Sequence, residues 1–192
     1  LSSLSHDSGG APERAVLRRE LLARRPDSDE RTLHDAALTR SLAAFLSTLQ
    51  ACCIGFYWPI RGEFDMVAEV IHWLRTHPDN RAALPVIHAR ATPLDFHLWT
   101  PDTLMAPGQY GIPEPQHTDA VTPDVLLIPC VGVDRLRYRM GYGGGYYDRT
   151  LASMFPRPRA IGIAYADTVV DTITPQTHDV PLDGVLTESG LW

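Results

Sequence analysis

Residues 139–149 read Arg-Met-Gly-Tyr-Gly-Gly-Gly-Tyr-Tyr-Asp-Arg. Gly141, Gly143, Gly144 and Gly145 strip side chains from a short stretch of backbone, so its amides can approach anionic oxygens closely. A helix that begins here adds the positive end of its dipole, an arrangement suited to phosphate. Arg135, Arg137 and Arg139 lie in and just before this segment, and guanidinium groups grip phosphate through paired N–H bonds. Asp148, just past the glycines, is placed to hold Mg²⁺ against those phosphates. The plainer alternative is a glycine turn with solvated charges around it, and the flanking arginines and tyrosines weigh against that.

Composition narrows the chemistry further. All 17 basic residues are arginine and none is lysine, which excludes a P-loop lysine, a Schiff-base lysine and a protein-kinase lysine. Phosphate handling must then rest on arginine, backbone amides and metal. The 192 residues, 44% hydrophobic and 21% charged, fit one globular domain with a real core. The net charge of −6 argues against nucleic acid or an anionic membrane as partner. No apolar run approaches the ~20 residues that span a bilayer. Cys52, Cys53 and Cys130 are odd in number and suit a reducing, cytoplasmic setting. Neither CxxC nor HExxH spacing occurs, so a structural zinc site is not expected. Leu1 to Pro12 is polar and reads as a flexible tail, with residues 13–192 as a single domain.

The elements that must position these groups follow from periodicity. Glu13 to Arg25 reads as a helix stopped by Pro26, with Leu17 and Leu21 on one face; Arg14 and Arg18 share that stripe and Arg19 points away. A second helix spans about Asp29 to Leu49, with Asp29 as its N-cap and Leu38, Leu42, Phe45, Leu46 and Leu49 as its apolar stripe. Ala51 to Tyr57 is a short buried strand, Phe64 to Arg75 a helix, and Ala83 to His88 and Leu94 to Trp99 are strands. Pro101 to Pro123, rich in proline and glycine, forms no element of its own in this reading. Asp124 to Ile128 is an apolar strand, the glycine segment leads into a helix through Phe155, and strands return at Arg159 to Ala164 and near Val185. Strands alternating with helices predict an α/β fold, layered α/β/α, with a largely parallel sheet. Ligands in such sheets gather beyond the carboxyl ends of strands, here the loops after Tyr57 and Ile128.

GYGGGYYDR after an apolar strand resembles the signature of the 5-formyltetrahydrofolate cyclo-ligases (methenyltetrahydrofolate synthetases). Arg14-Ala15-Val16-Leu17-Arg18 is similar to that family's N-terminal basic-x-x-Leu-Arg motif. Tyr57 to Glu63 resembles its Tyr…Gly-Glu segment, Tyr110 to Pro115 its YGI-x-EP stretch, and His178-Asp179 its second acidic position. The likeness runs from about Arg14 to Glu188. Two departures stand out: Arg14 replaces the usual lysine, and Arg137 replaces a glycine two residues before the family's arginine.

The resemblance implies a fold like that of the sugar-phosphate isomerase and CoA-transferase group. It also implies ATP- and Mg²⁺-dependent cyclisation of 5-formyltetrahydrofolate to 5,10-methenyltetrahydrofolate. ATP would contact Arg14, Arg18 and residues 139–147, that is Arg139, Met140, Gly141, Tyr142, Gly143, Gly144, Gly145, Tyr146 and Tyr147. Folate would contact Trp58, Glu63 and Tyr142 through Tyr146, with Arg139, Tyr142 and Asp148 catalytic and Asp148 with Asp179 holding the metal. By itself Glu63 also reads as an acid compensating a helix dipole, Trp58 as core and Asp179 as a turn residue. A monomer or weak homo-oligomer acting on small molecules is expected. The other readings are an isomerase or acyl-transferase of the same fold, which would turn over without ATP, and a folate- or nucleotide-binding module that has lost catalysis.

Overall fold

The structure, a computed structural model, describes residues 10–192; Leu1 to Gly9 of the expected tail lie outside the described residues. Gly10 to Pro12 are not tail, because helix α1 runs Gly10–Ala23. Pro12 is tolerated there since first-turn N–H groups have no intrahelical acceptor to lose. Helix α2 (Ser28–Leu46) is capped by Asp27 rather than Asp29: the Asp27 carboxylate accepts from the Asp29 and Glu30 amides. Asp29 and Glu30 instead place negative charge in the first turn, where the dipole favours it. Helices α3 (Val67–Leu74) and α4 (Tyr146–Ser153) are short.

The strands are β1 (Cys53–Gly55), β2 (Arg81–Val86), β3 (Asp95–Trp99), β4 (Met105–Pro107), β5 (Pro113–Pro115), β6 (Ala120–Val121), β7 (Val125–Pro129), β8 (Gly132–Asp134), β9 (Arg139–Met140), β10 (Arg159–Ile163), β11 (Val169–Val170), β12 (Gly184–Thr187) and β13 (Gly190–Leu191). Eight of them form one sheet in the order β13-β12-β10-β7-β1-β2-β3-β6. The centre, β12 through β2, is parallel, while β3, β6 and β13 add antiparallel edges. The sheet is therefore mixed, with a parallel heart.

Alternation along β7 shows the layering. Val125 and Leu127 join a core with Leu38, Leu42 and Phe45 of α2 and Val70 and Trp73 of α3. Leu126 and Ile128 join another core with Leu151 of α4. Opposite faces of one strand thus bury against helices on opposite sides of the sheet, as a period of two requires.

The segment from Pro101 to Pro123 does form elements, contrary to the reading from its composition. β4 and β5 pair with each other and β6 closes the sheet edge beside β3. Prolines 107, 113 and 115 sit in this two-stranded ribbon, the edge position where a missing N–H is tolerated.

A second sheet, β11-β8-β9, lies against α1 through Leu21, Val131, Met140 and Ile173. This packing carries α1's arginines to the glycine segment. In the main sheet the chain leaves β1 toward β2 on one side, while β7 and β10 lie on the other. Loops after β1 and β7 therefore diverge, leaving a crevice at their carboxyl ends.

Candidate active site

The glycine segment is held from behind by a hairpin. β8 and β9 are joined through Arg135, Leu136 and Arg137, with the Arg137 amide donating to Asp134 O at 2.9 Å and the Asp134 amide to Tyr138 O at 3.0 Å. Buried Asp134 accepts the Leu136 and Tyr138 amides on one carboxylate oxygen and the Ile173 amide on the other. In hairpins of this length the last loop residue is left-handed, the position glycine fills best. Arg137 occupies it at φ 65°. Its backbone is thus strained by ~1–2 kcal/mol relative to glycine. The conformation also gives a physical reason for the glycine of the family pattern.

Beyond β9 the backbone opens. Gly143 and Gly145 have φ of 94° and 63°, and Gly145, the residue capping α4, offers no side-chain cap. Among the described residues, no hydrogen bond within the chain engages the amides of residues 141–148. A run of free N–H groups ending in a helix N-terminus is an anion cradle. Arg18 borders it: Nε donates to Gly141 O at 2.7 Å, and a Cβ placed on Gly143 would lie 3.5 Å from the guanidinium. Burial, then the charge of Arg14, lowers the Arg18 pKa. With no carboxylate partner among the described residues, Arg18 gains from any anion that enters.

The two candidate metal carboxylates stand at the end of this cradle. Asp148 Oδ1 accepts from Arg139 Nη2 at 2.6 Å and from the Val180 amide at 3.0 Å. Asp179 Oδ2 accepts from Arg14 Nη1 at 3.0 Å and from the Gln176 amide at 2.7 Å. Each leaves its other oxygen without a hydrogen bond in the described chain. Among the described residues no group of three or more His, Cys, Asp and Glu side chains is arranged to enclose a metal. Two carboxylates beside a phosphate site fit Mg²⁺, which takes one or two protein oxygens and completes its shell with phosphate and water.

Arg139 itself is turned inward. Its side chain is 5% exposed, with Nη1 donating to Val180 O at 2.8 Å and Nη2 given to Asp148. It fixes the Asp148 carboxylate to the loop that carries Asp179. Arg135 and Arg137 do not join it, contrary to the reading that grouped the three: Arg135 pairs with exposed Asp171 and Arg137 donates to Asp183 O. A hairpin turn between them and Arg139 sends the side chains different ways.

The crevice between β1 and β7 has another character. Arg25, Tyr57, Glu63, Phe64, Cys130, Ala164 and Tyr165 line it. Burial raises the Glu63 carboxyl above the usual carboxylate range, against the Ile60 amide, Arg25 and Arg61, which favour the charged form. Burial also raises the Tyr57 and Tyr147 phenols and pushes the Cys130 thiol up to about 12. Tyr142 hangs from the glycine segment toward this crevice, its hydroxyl accepting from Arg25 Nη1 at 3.0 Å and interacting with Glu63. Arg25 and Arg61 lie over its ring at 5.8 and 5.4 Å. As it stands the crevice holds about 10 Å³, room for a single water, with one carboxylate at its wall to accept an N–H group.

The structure therefore gathers Arg14, Arg18, Arg139, Gly141, Tyr142, Gly143, Gly144, Gly145, Asp148 and Asp179 around the cradle, with Glu63 across from Tyr142. The Met140 side chain is buried against Leu21, and its Sδ accepts from Arg18 Nη2 at 3.5 Å. Tyr147 packs half-buried behind the cradle and Tyr146 bonds the Tyr110 hydroxyl at 3.0 Å. Trp58 packs against the α2 side of the core, and among the described residues no hydrogen bond or ring contact ties it to the glycine segment. Arg25, Arg61 and Tyr165 also stand here, and no spacing or motif in the sequence marks them for it.

Comparison with known proteins bears on this arrangement. The 5-formyltetrahydrofolate cyclo-ligase family profile matches residues 11–188. A Haemophilus influenzae protein named 5-formyltetrahydrofolate cyclo-ligase is 32% identical over 79% of this chain and 84% of its own. An Escherichia coli protein of the same name is 28% identical over 92% of this chain and 99% of its own. Among solved structures, a 5,10-methenyltetrahydrofolate synthetase from Mycoplasma pneumoniae superposes with a TM-score of 0.74 at 28% identity, covering 92% of this chain and 99% of the other. One from Aquifex aeolicus gives 0.76 at 26% identity, covering 93% and 91%. With the cradle, its arginines and the crevice all inside the matched span, the chain belongs to the 5-formyltetrahydrofolate cyclo-ligase family.

Proposed function

We propose that the chain catalyses ATP-dependent closure of 5-formyltetrahydrofolate to 5,10-methenyltetrahydrofolate, with release of ADP and phosphate. The observation that carries this reading is the run of unpaired amides over 141–148, bordered by Arg18 and connected through Tyr142 to the buried Glu63 crevice. An anion site and a ring site that share one residue are what a reaction between a nucleotide and a heterocycle requires.

The formyl group on N5 is amide-like, a poor electrophile whose oxygen leaves badly. Attack of the formyl oxygen on the γ-phosphorus displaces ADP and makes that oxygen part of a phosphate. N10 then attacks the formyl carbon and loses its proton, and the C–O bond breaks to release phosphate and leave the cationic methenyl ring. No protein nucleophile is needed, so the chain contributes positioning and charge neutralisation. Arg14, Arg18 and the amides of the glycine segment would bind the ATP phosphates, and Arg139 would orient Asp148. Asp148 and Asp179 would hold Mg²⁺, which when bound supplies further neutralisation of phosphate charge. Trp58, Glu63 and residues 142–146 would form the folate side, with Glu63 accepting N–H bonds from the ring.

In this reading residues 13–192 act as one catalytic domain of the sugar-phosphate isomerase/CoA-transferase type. It works in the cytoplasm on small molecules, without nucleic acid or membrane, as a monomer or weak homo-oligomer. No helix among the described residues is long and apolar enough to cross a membrane. The test is an absorbance time course with 5-formyltetrahydrofolate, ATP and Mg²⁺. The near-ultraviolet band of the methenyl product should grow only when all three are present. Growth without ATP, or none with folded protein, overturns the reading.

A further inference from the structure

The turn that presents Glu63 is built from two successive left-handed residues, Arg61 at φ 48° and Gly62 at φ 75°. It is closed within itself. The Ile60 amide donates to Glu63 Oε2 and the Glu63 amide to Ile60 O, both at 2.9 Å. Its two outward carbonyls are held by arginines from the α1–α2 corner: Arg25 Nη1 donates to Arg61 O at 2.8 Å, and Arg31 Nη2 donates to Gly62 O. Arg31 is tied elsewhere too, 3.8 Å from Asp35, whose carboxylate accepts the Tyr165 hydroxyl. Arg25 differs. Among the described residues it has no carboxylate within ion-pair distance, and the same Nη1 that holds Arg61 O also donates to the Tyr142 hydroxyl at 3.0 Å.

Arg25 therefore touches both halves of the site. The Tyr142 hydroxyl accepts from Arg25, and its phenol pKa is raised by burial first and by the charge of Glu63 second. A short chain thus runs from the Arg61 carbonyl of the Glu63 turn through the Arg25 guanidinium to the Tyr142 hydroxyl of the glycine segment. Such a chain fixes the distance between the glycine segment and the Glu63 turn.

Resting on the cyclo-ligase reading, we propose that Arg25 is a positioning residue that locks the Glu63 turn and Tyr142 into one frame, so that folate is presented in register with the nucleotide. It touches neither reacting atom. Its loss frees a strained turn at one end and an unfixed tyrosine at the other, so the folate side should suffer and the phosphate side should not.

The test compares wild type, Arg25→Lys and Arg25→Met for kcat, KM for each substrate, and the Kd of 5-formyltetrahydrofolate alone by tryptophan fluorescence quenching. Arg25→Met should raise folate KM and Kd about tenfold or more and lower kcat, with KM for ATP within about twofold. Arg25→Lys should recover part of the loss, since an ammonium reaches one of the two acceptors. In the double variant with Tyr142→Phe, the two losses should fall well short of adding, because both break one chain. A purely structural arginine would shift the melting temperature and leave the folate-to-ATP asymmetry and the non-additivity absent. If Arg25→Met does not fold, Arg25→Lys decides by the same asymmetry. Folate KM and Kd within twofold of wild type in a folded variant overturn the proposal. An inactive wild type overturns the cyclo-ligase reading instead.

Discussion

The two halves of the site solve opposite problems. Around the glycine segment, polar groups outnumber their partners: among the described residues the amides over 141–148 have no acceptor and Arg18 has no acid within ion-pair distance. In the crevice the acids are buried, and every shifted one lining it, Glu63, Tyr57, Tyr165 and Cys130, is pushed toward its neutral form by burial first. One half is open and rich in donors, and the other is closed and dry. A highly charged nucleotide and a flat ring call for that difference, and Tyr142 is where the halves meet.

Separate perturbations should therefore separate the two ligands. The largest effect is expected at Asp148. Replacing it with Asn keeps the volume and an acceptor oxygen but removes the charge that balances buried Arg139, and turnover should fall at least ~10³-fold at ordinary magnesium, the scale of losing a central electrostatic group. Asp148→Ala should in addition cost ~3 kcal/mol of stability, since it leaves a buried cation unpaired. Unchanged turnover in Asp148→Asn sinks the metal assignment. Next is Gly143→Ala, which forces a left-handed alanine at φ 94° with its Cβ 3.5 Å from the Arg18 guanidinium. We expect kcat/KM for ATP to drop ~100-fold, or about 2.7 kcal/mol, with folate Kd untouched; equal losses on both sides would erase the contrast between the halves.

Glu63→Gln should show the mirror image, raising folate KM some ~10–100-fold while KM for ATP holds. Its stability effect has the opposite sign. The folded-state pKa of Glu63 lies above its unfolded value, so ionised Glu63 weakens the fold as pH rises through that range. The Gln variant should melt higher than wild type at neutral pH and lose this advantage in acid. In wild type, kcat/KM for folate should decline on the acid side through a group titrating above the usual carboxylate range, and Glu63→Gln should remove that limb. The smallest effect belongs to Arg137→Gly, remote from both halves. Relief of the left-handed strain should outweigh the added freedom of the unfolded chain by ~0.5 kcal/mol, with kinetics unchanged. A loss of activity there would draw the hairpin into the phosphate half.

What could be read in advance was local. The glycine segment, the Arg14–Arg18 stripe on α1 and the apolar β7 announce themselves through spacing, and each stands where its pattern predicts. Less was visible wherever tertiary partners decide. Arg25 and Arg61 look like any surface arginines, because the carbonyl and phenol they meet are brought by distant segments. Arg139 reads as a free cation until Asp148 and Val180 close around it. The cap of α2 shifted by two residues because Asp27 can reach both Asp29 and Glu30 amides, a choice that composition alone leaves even. Residues 101–123 hid their strands because the ribbon is two short, proline-bearing edges that make no alternating apolar pattern.

The Cys130 side chain offers a way to watch the crevice. A thiol pushed up to about 12 by burial stays protonated at neutral pH, and thiolate is the form that reacts. Its Sγ is further occupied by Ile128 O at 3.4 Å. Alkylating reagents should therefore pass over Cys130 in the native state, sparing a wall of the crevice from adventitious modification and oxidation. Whenever β7 and β1 part at their carboxyl ends, the sulfur gains water and its reactivity climbs by orders of magnitude. The alkylation rate of this one atom is thus a clock for local opening, and a ligand that fills the slot should slow it.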